Sequence, residues 1–345
     1  ASGQNQSAAG EGKTTEQLQK QATFADNWDF DEAWAIGRSG YPRLKWEANV
    51  VAPPPWEGEG HGTENNPYLI ISAAQLNGVR NYPDAHFALG GDIDLSLEYG
   101  AGEGWEPIGT TDSPFIGIMD GKGYKITGLY MNRPSQNEVG LFGVIGNGAE
   151  ISNIRLENTE VTGQLNVGGL AGKNDGAVSH VYVSGEVTGN EFVGGLAGAN
   201  AGNISQSYAR SQVEGANFIG GLVGANDGNI SDSYASGDVI ASNGHAGGLV
   251  GSNDRGSIRS SYAAGKVTGH GDVGGLAGEN GGGTVTASYW DKETTSQTTS
   301  AGSSDDFGKI TVEMKQQATF VGWDFDNIWA IDEGGSYPYL KADRE

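Results

Sequence analysis

Val193-Gly194-Gly195-Leu196-Ala197-Gly198 is followed by Asn200, Asn203-Ile204 and Ser207-Tyr208-Ala209. The same phrase returns as Ile219-Gly220-Gly221-Leu222-Val223-Gly224, followed by Asn226, Asn229-Ile230 and Ser233-Tyr234-Ala235. Working outward, Gly-Gly-Leu-Ala/Val-Gly also ends at Gly172, Gly251 and Gly278, and Gly140-Leu141-Phe142-Gly143 opens the series. Its leucines, Leu141, Leu170, Leu196, Leu222, Leu249 and Leu276, lie 29, 26, 26, 27 and 27 residues apart. That period belongs to solenoids, in which each repeat is one coil.

Within a coil, the apolar strand at Gly-Gly-Leu is followed four residues after the leucine by an asparagine: Asn174, Asn200, Asn226, Asn253 or Asn280. Twelve or thirteen residues after the leucine stands a tyrosine: Tyr182, Tyr208, Tyr234, Tyr262 or Tyr289. Val187, Val213, Val239 and Val267 centre a third short segment. The expected fold is all-β: a right-handed parallel β-helix of about 26-residue coils, each with three short strands and three turns. Equivalent residues stack roughly 4.8 Å apart, so the asparagines and tyrosines are expected to form structural ladders. Paired glycines would permit tight bends, positive φ or close approach between layers. Asparagine at a turn tolerates the left-handed region and bonds neighbouring backbone.

These phrases, with their Asn-x-Gly-x-Ile and Ser-Tyr-Ala continuations, resemble the GLUG repeat of large bacterial surface proteins, over roughly residues 139–289. The resemblance implies a secreted β-solenoid, found in adhesin-like proteins and beside the catalytic part of some immunoglobulin-cleaving metallopeptidases. It names no ligand.

The chain of 345 residues has no cysteine, so disulfides and thiolate metal sites are excluded. A formal charge of -23 argues against binding nucleic acid and against docking on an anionic membrane. An acidic surface can hold calcium, although the ligand run of an EF-hand or of a calcium-binding nonapeptide is missing; no other cofactor is expected. No apolar run reaches membrane length, so no membrane insertion is expected. Ala1-Ser2-Gly3-Gln4 does not read as a signal peptide, and the sequence is expected to be a mature or excised piece.

The two ends of the chain are related. Lys13-Thr14-Thr15 through Gln21-Ala22-Thr23-Phe24 parallels Lys309-Ile310-Thr311 through Gln317-Ala318-Thr319-Phe320. Trp28-Asp29-Phe30-Asp31, Trp34-Ala35-Ile36 and Tyr41-Pro42 parallel Trp323-Asp324-Phe325-Asp326, Trp329-Ala330-Ile331 and Tyr337-Pro338. Each copy is expected to be a closing module, a short helix followed by a tight aromatic hairpin, with Thr14 and Gln17 spaced as a capping box. The chain therefore reads as slightly more than one period of a tandem array, or as one domain with two related caps.

The expected organisation is a closing module at 1–49, a linker containing Pro53-Pro54-Pro55 at 50–61, irregular first coils at 62–138, GLUG-type repeats at 139–291, and a loop with the second closing module at 292–345. In the first coils, Ser72-Ala73-Ala74-Gln75-Leu76 should start a capping helix. Strands are expected around Phe87-Leu89, Asp92-Leu95, Trp105-Ile108, Phe115-Met119 and Ile126-Tyr130. The polar run up to Ser304 reads as a mobile loop.

A scan for catalytic chemistry returns little. There is no His-Glu-x-x-His and no Gly-x-Ser-x-Gly, so no catalytic residue is assigned. Gly269-His270-Gly271-Asp272-Val273-Gly274 leads into the next repeat instead of a helix, which is wrong for a nucleotide. Asp92 with Asp94, Asp305-Asp306, and Glu103 with Glu106 could pair as in polysaccharide-cleaving β-helices, but turn carboxylates more often bond backbone amides. The histidines His61, His86, His180, His245 and His270 share no phase, so no metal site is expected. Asn166, Phe192, Phe218, His245 and Asp272 each stand four residues before a leucine. Phe192, Phe218 and His245 would form a ring platform for a sugar face or a protein partner, unless the phenylalanines turn inward as core.

The expected function is a non-catalytic, extracellular structural or adhesion module of a bacterial surface or fibre protein. Its expected partners are neighbouring copies or tandem units, a glycan or a host or cell-surface protein. The alternatives are a self-assembling filament subunit and a secreted polysaccharide lyase or hydrolase.

Overall fold

The computed structural model describes residues 60–343 and, before them, the backbone of four short strands, Gln6–Ser7, Gly10–Glu11, Trp34–Ala35 and Arg43–Leu44. The chain divides into two compact units, Ala1–Gly58 and Glu59–Glu345. The capping box at Thr14 and Gln17 and the proline linker fall outside the described residues. Gly60 and His61 are described, and His61 N already donates to Asn66 O in the second unit.

That second unit is the parallel β-solenoid. Each coil pairs with the next in register: Ala197 with Val223, Ile204 with Ile230, Tyr208 with Tyr234, Val213 with Val239. Among the described residues the coils build parallel sheets of 13, 9, 6 and 5 strands, so a coil has more corners than three strands require. The coil from Glu191 to Gly215 uses five segments: Glu191–Gly194, Ala197–Asn200, Asn203–Ser205, Tyr208–Ala209 and Gln212–Gly215. Two corners are left-handed residues rather than glycines, at φ 53° for Phe192 and 46° for Gln206, and both recur as Phe218 and Asp232 in the next coil.

The paired glycines serve a different purpose from positive φ. None of Gly194, Gly195, Gly198, Gly220, Gly221 or Gly224 has it. They allow the five-stranded sheet to lie against the six-stranded one backbone to backbone: a Cβ on Gly224 would stand 2.5 Å from the Phe192 carbonyl carbon. Leu170, Leu196, Leu222, Leu249 and Leu276 then fill the interior at 0% exposure.

Two polar ladders satisfy the corners. Each asparagine Nδ2 donates to the Oδ1 of the next, from Asn174 through Asn200, Asn226 and Asn253 to Asn280, at 2.8 Å per step. A second ladder runs beside the tyrosines. Ser207, Ser233, Ser261 and Ser288 each accept from the backbone N–H of the equivalent residue one coil earlier, beginning with Val181 N. Each serine hydroxyl also donates to the carbonyl two residues before it. Buried polar groups that are paired in this way avoid a desolvation cost of about 1–3 kcal/mol each.

The first coils extend the same sheets. Tyr68–Ile70 pairs with His86–Leu89, which pairs with Ile118–Asp120. The capping helix is Ala73–Gly78, with Ser72 Oγ accepting from Gln75 N and Gln75 Oε1 accepting from Ile71 N. It follows the outermost strand of its sheet and buries Leu76 fully. Trp105–Ile108 is not a strand: it is interrupted by Pro107, which has no N–H, and only Ile108 makes a parallel bridge, to Phe142.

The far end is closed by the segment expected to be mobile. Gly275 N donates to Thr299 O, Ala301 N to Ala277 O, and the Ser300 hydroxyl accepts from Leu276 N and Ala277 N, so 299–301 seals the last coil. Gly308–Lys309 then adds a strand beside Tyr289–Asp291. The closing module contains no α-helix of the expected length. Met314 N donates to Ile310 O for a single turn, followed by a 3₁₀ turn at Gln317–Thr319. Ile310, Thr311 and Val312 are β-branched, and side chains take over the local backbone: Glu313 accepts from Ile310 N and Glu293 from Thr311 N. The aromatic hairpin is present as Trp329–Ala330 paired antiparallel with Tyr339–Leu340, but its eight-residue connection is wider than a tight turn.

Candidate functional site

Two stacks of rings run along the outside of the solenoid. In the first, Phe192 and Phe218 stack at 5.0 Å between centroids and 19°, and Phe218 and His245 at 4.9 Å and 19°. All three are half-buried and point outward, so they are not core. Because the rings face one another along the stack, they offer their edges to solvent; the flat platform expected for a sugar face is absent. His245 closes the stack, with Nδ1 3.4 Å from Asp272 and Nε2 3.7 Å from Glu279. Asn166 continues the line at the other end, with φ 55°.

The second stack is Tyr182, Tyr208, Tyr234, Tyr262 and Tyr289. Its first three steps are stacked at 4.6, 4.5 and 4.8 Å. In Tyr208-Ala209, Tyr234-Ala235 and Tyr262-Ala263 the alanine faces the narrow interior, so each tyrosine faces out. Yet Tyr208, Tyr234, Tyr262 and Tyr289 are buried, because the closing module packs on them with Met314, Phe320, Trp323, Trp329 and Leu340. Polar tethers fix its position: Tyr262 donates to Pro338 O at 2.8 Å, Trp323 Nε1 to Ala287 O at 2.8 Å, Trp329 Nε1 to Asp232 at 3.4 Å and Tyr337 to Asp291 at 2.6 Å. Burial, then the Asp291 carboxylate, push the Tyr337 hydroxyl up to about 12; burial also raises Tyr262 and Asp232.

Where the module stops, Tyr182 is left half-buried beneath Arg155, whose guanidinium lies 5.1 Å from the ring centre. Arg210 lies over Tyr208 at 5.3 Å and reaches Tyr234. Arg155, Arg210 and Lys315 line a groove of about 610 Å³ beside Tyr337 and Tyr339, with no aspartate or glutamate in its lining. The sequence offered one sign of it: Arg210 follows Ser-Tyr-Ala where other coils carry Ser236 or Ala264.

The carboxylate pairs are engaged singly. Asp92 accepts from Lys125 N and Asp94 from Ser96 N; the Ser96 hydroxyl, then its backbone N–H, hold Asp94 below the usual carboxylate range. Glu103 pairs with Arg133 and Glu106 with Arg80, while Asp305 and Asp306 are exposed in a 3₁₀ turn. His61 bonds Asn66, His180 meets Gln206, and His270 is exposed. Among the described residues, no three histidine or acidic side chains gather as metal ligands, and no helix is long and apolar enough to cross a membrane.

Residues 163–188, 215–240 and 242–268 match the model of the GLUG motif. The solenoid carries GLUG repeats. Among relatives, a protein provisionally named a Gly-rich membrane protein from Evansella cellulosilytica is 46% identical over 131 residues, 36% of this chain and 15% of that one. Halomucin of Haloquadratum walsbyi is 38% identical over 134 residues, 36% of this chain and 2% of its own length. The chain thus matches only a small part of either relative. Among solved structures, a protein provisionally titled an immunoglobulin A1 protease from Bacteroides ovatus superposes with a TM-score of 0.62 at 22% identity, covering 82% of this chain and 94% of that one. An IgA1 protease superposes at 0.55 and 22% identity, covering 68% of this chain and 20% of its own. At these identities the likeness is one of fold.

Proposed function

We propose that this GLUG solenoid is a non-catalytic, extracellular structural module of a surface or fibre protein, one unit of a longer array. The observation that carries this reading is that the polar groups form continuous axial ladders. Asparagine and serine side chains are spent on binding coil to coil, Asp92 and Asp94 on backbone amides, and Glu103 and Glu106 on single arginines. The names of the two sequence relatives, a membrane protein and a halomucin, support a surface location. The charge of -23 suits a protein that stays dispersed outside the cell. Adhesive contact is assigned to the half-buried, edge-on ridge of Phe192, Phe218 and His245.

The test is to purify the chain, image it by negative stain with light scattering, and incubate it with immunoglobulin A1 and with acidic polysaccharides. Monodisperse particles that release neither new peptide termini nor reducing ends are expected. Turnover of either substrate by the isolated chain would overturn the proposal in favour of an enzyme.

A further inference from the structure

The tyrosine stack changes character where the closing module ends. The register sets Arg155 beside Tyr182 and Lys125 beside Arg155, so the two coils before Tyr182 carry cations at the tyrosine position. Arg210 stands two residues after Tyr208, at the phase where the next coils carry Ser236 and Ala264. Lys315 joins from the closing module, 5.7 Å from the Tyr337 ring. A chain with 43 acidic and 20 basic residues thus gathers Arg155, Arg210 and Lys315 around one groove of about 610 Å³. Their charge is poorly answered. Glu157 lies 3.5 Å from Arg155 Nε but also serves Lys125 at 3.1 Å, and Arg155 Nε is buried without a hydrogen-bond partner. Among the described residues Arg210 meets tyrosines alone, donating to the Tyr234 hydroxyl at 3.3 Å and lying over Tyr208. Asp291 and Asp332 are engaged by the hydroxyls of Tyr337 and Tyr339.

Arg155 also lines a second recess of about 560 Å³, which continues past Tyr182 to Asn153, His180 and Gln206. The one carboxylate in that lining, Asp120, is held by Lys122 at 2.7 Å. Two recesses joined at one arginine make a run longer than a single small ion needs. We propose that this run binds an acidic oligosaccharide, with carboxylates or sulfates of its sugar rings on Arg155 and Arg210. A guanidinium presents a planar fork that matches either anion. The half-buried rings of Tyr182, Tyr337 and Tyr339 offer apolar surface to sugar C–H groups, and Ser236 and Ser336 offer hydroxyls. An extended peptide gains affinity by adding a strand to an open sheet edge. Here the strands beneath the groove, Tyr208–Ala209 and Tyr234–Ala235, are already paired on both sides. None of Phe192, Phe218 and His245 lines either recess, so this site is separate from the ridge assigned to adhesion.

Calorimetric titration of the full chain supplies the test. A galacturonate hexasaccharide and a heparin hexasaccharide separate carboxylate from sulfate, and saturable binding of at least one is expected. A galactose hexasaccharide, the same ring without charge, should not bind. Arg210→Ser, which installs the residue of the next coil, should weaken binding at least about tenfold, as should Arg155→Gln. Arg210→Lys keeps the charge without the fork and should fall between Arg210→Ser and the unaltered chain. Lys266→Gln removes an exposed cation outside both recesses and should leave affinity within about twofold. Thermal melting checks each fold; Arg210 is exposed, so Arg210→Ser carries the test should Arg155→Gln unfold the chain. Failure of both acidic sugars to bind overturns the proposal, and so does binding that the arginine variants leave unchanged. Equal affinity for a hexaglutamate peptide overturns the sugar assignment in favour of an acidic peptide.

Discussion

The phenylalanine and tyrosine stacks are the same device used to different ends. Each places one ring per coil, outward, at a spacing of 4.5 to 5.0 Å. One is left half-buried with its edges in solvent; the other is sealed beneath a module of tryptophans. Stacking alone therefore decides neither burial nor role. What separates them is the rest of the chain: segment 310–343 returns over the tyrosines and, among the described residues, nothing returns over Phe192 and Phe218.

The largest change should come from breaking the seal. Trp329→Ala removes a fully buried ring that touches Tyr234 and Tyr262, and should weaken module docking by about 3–5 kcal/mol. Hydrogen exchange should then speed up throughout 310–343 while the coils at Phe192 and Phe218 stay protected. Exchange that rises equally in both places would mean that the seal is not separable from the solenoid.

Gly224→Ala probes the other wall. The added Cβ meets the Phe192 backbone at 2.5 Å, and forcing the sheets apart should cost about 1–3 kcal/mol. The loss should appear as faster exchange at 191–200 and 217–226, with little change in the closing module.

Alkali should undo the tyrosine side alone. Because the Tyr337 hydroxyl is raised in the docked state to about 12, its contribution is complete below the ordinary tyrosine value of about 10 and is lost as pH climbs to about 12. Buried Tyr262 moves in the same direction. Tryptophan emission should shift to the red across that window, and Tyr337→Phe should flatten the transition.

Smaller effects are expected from Phe218→Ala, which loses two ring contacts on a half-exposed surface, about 1 kcal/mol by melting. Asp232→Asn should strengthen docking by about 0.5 kcal/mol at neutral pH. It replaces a buried carboxylate, whose raised proton affinity marks an unfavourable charge, with a neutral acceptor for Trp329 in a left-handed position that asparagine tolerates.

Much of this was legible in the chain. The leucine period announces the coil, and the asparagines at fixed phase announce a ladder, because stacking puts identical positions within bonding distance. The serine ladder was equally available in Ser207-Tyr208 and its copies, but a serine before a tyrosine has no local signature of burial. The outward turn of Phe192 was hidden because a left-handed φ on phenylalanine is costly, roughly 1–2 kcal/mol, and sequence patterns assume ordinary alternation. The duplicated ends were visible, whereas the place where the module docks was not. Tyr-Ala says only that a large residue alternates with a small one, and contact between Trp329 and Asp232, 97 positions apart, lies beyond any local rule.

Hydroxyl-radical footprinting of the intact chain tests the contrast most directly. Tyr208, Tyr234, Tyr262 and Tyr289 should be protected, Phe192, Phe218 and Tyr182 modified, and Trp329→Ala should expose Tyr234 and Tyr262 without altering the phenylalanines. Modification of the four tyrosines at the rate of Phe192 and Phe218 in the unaltered chain would contradict the account.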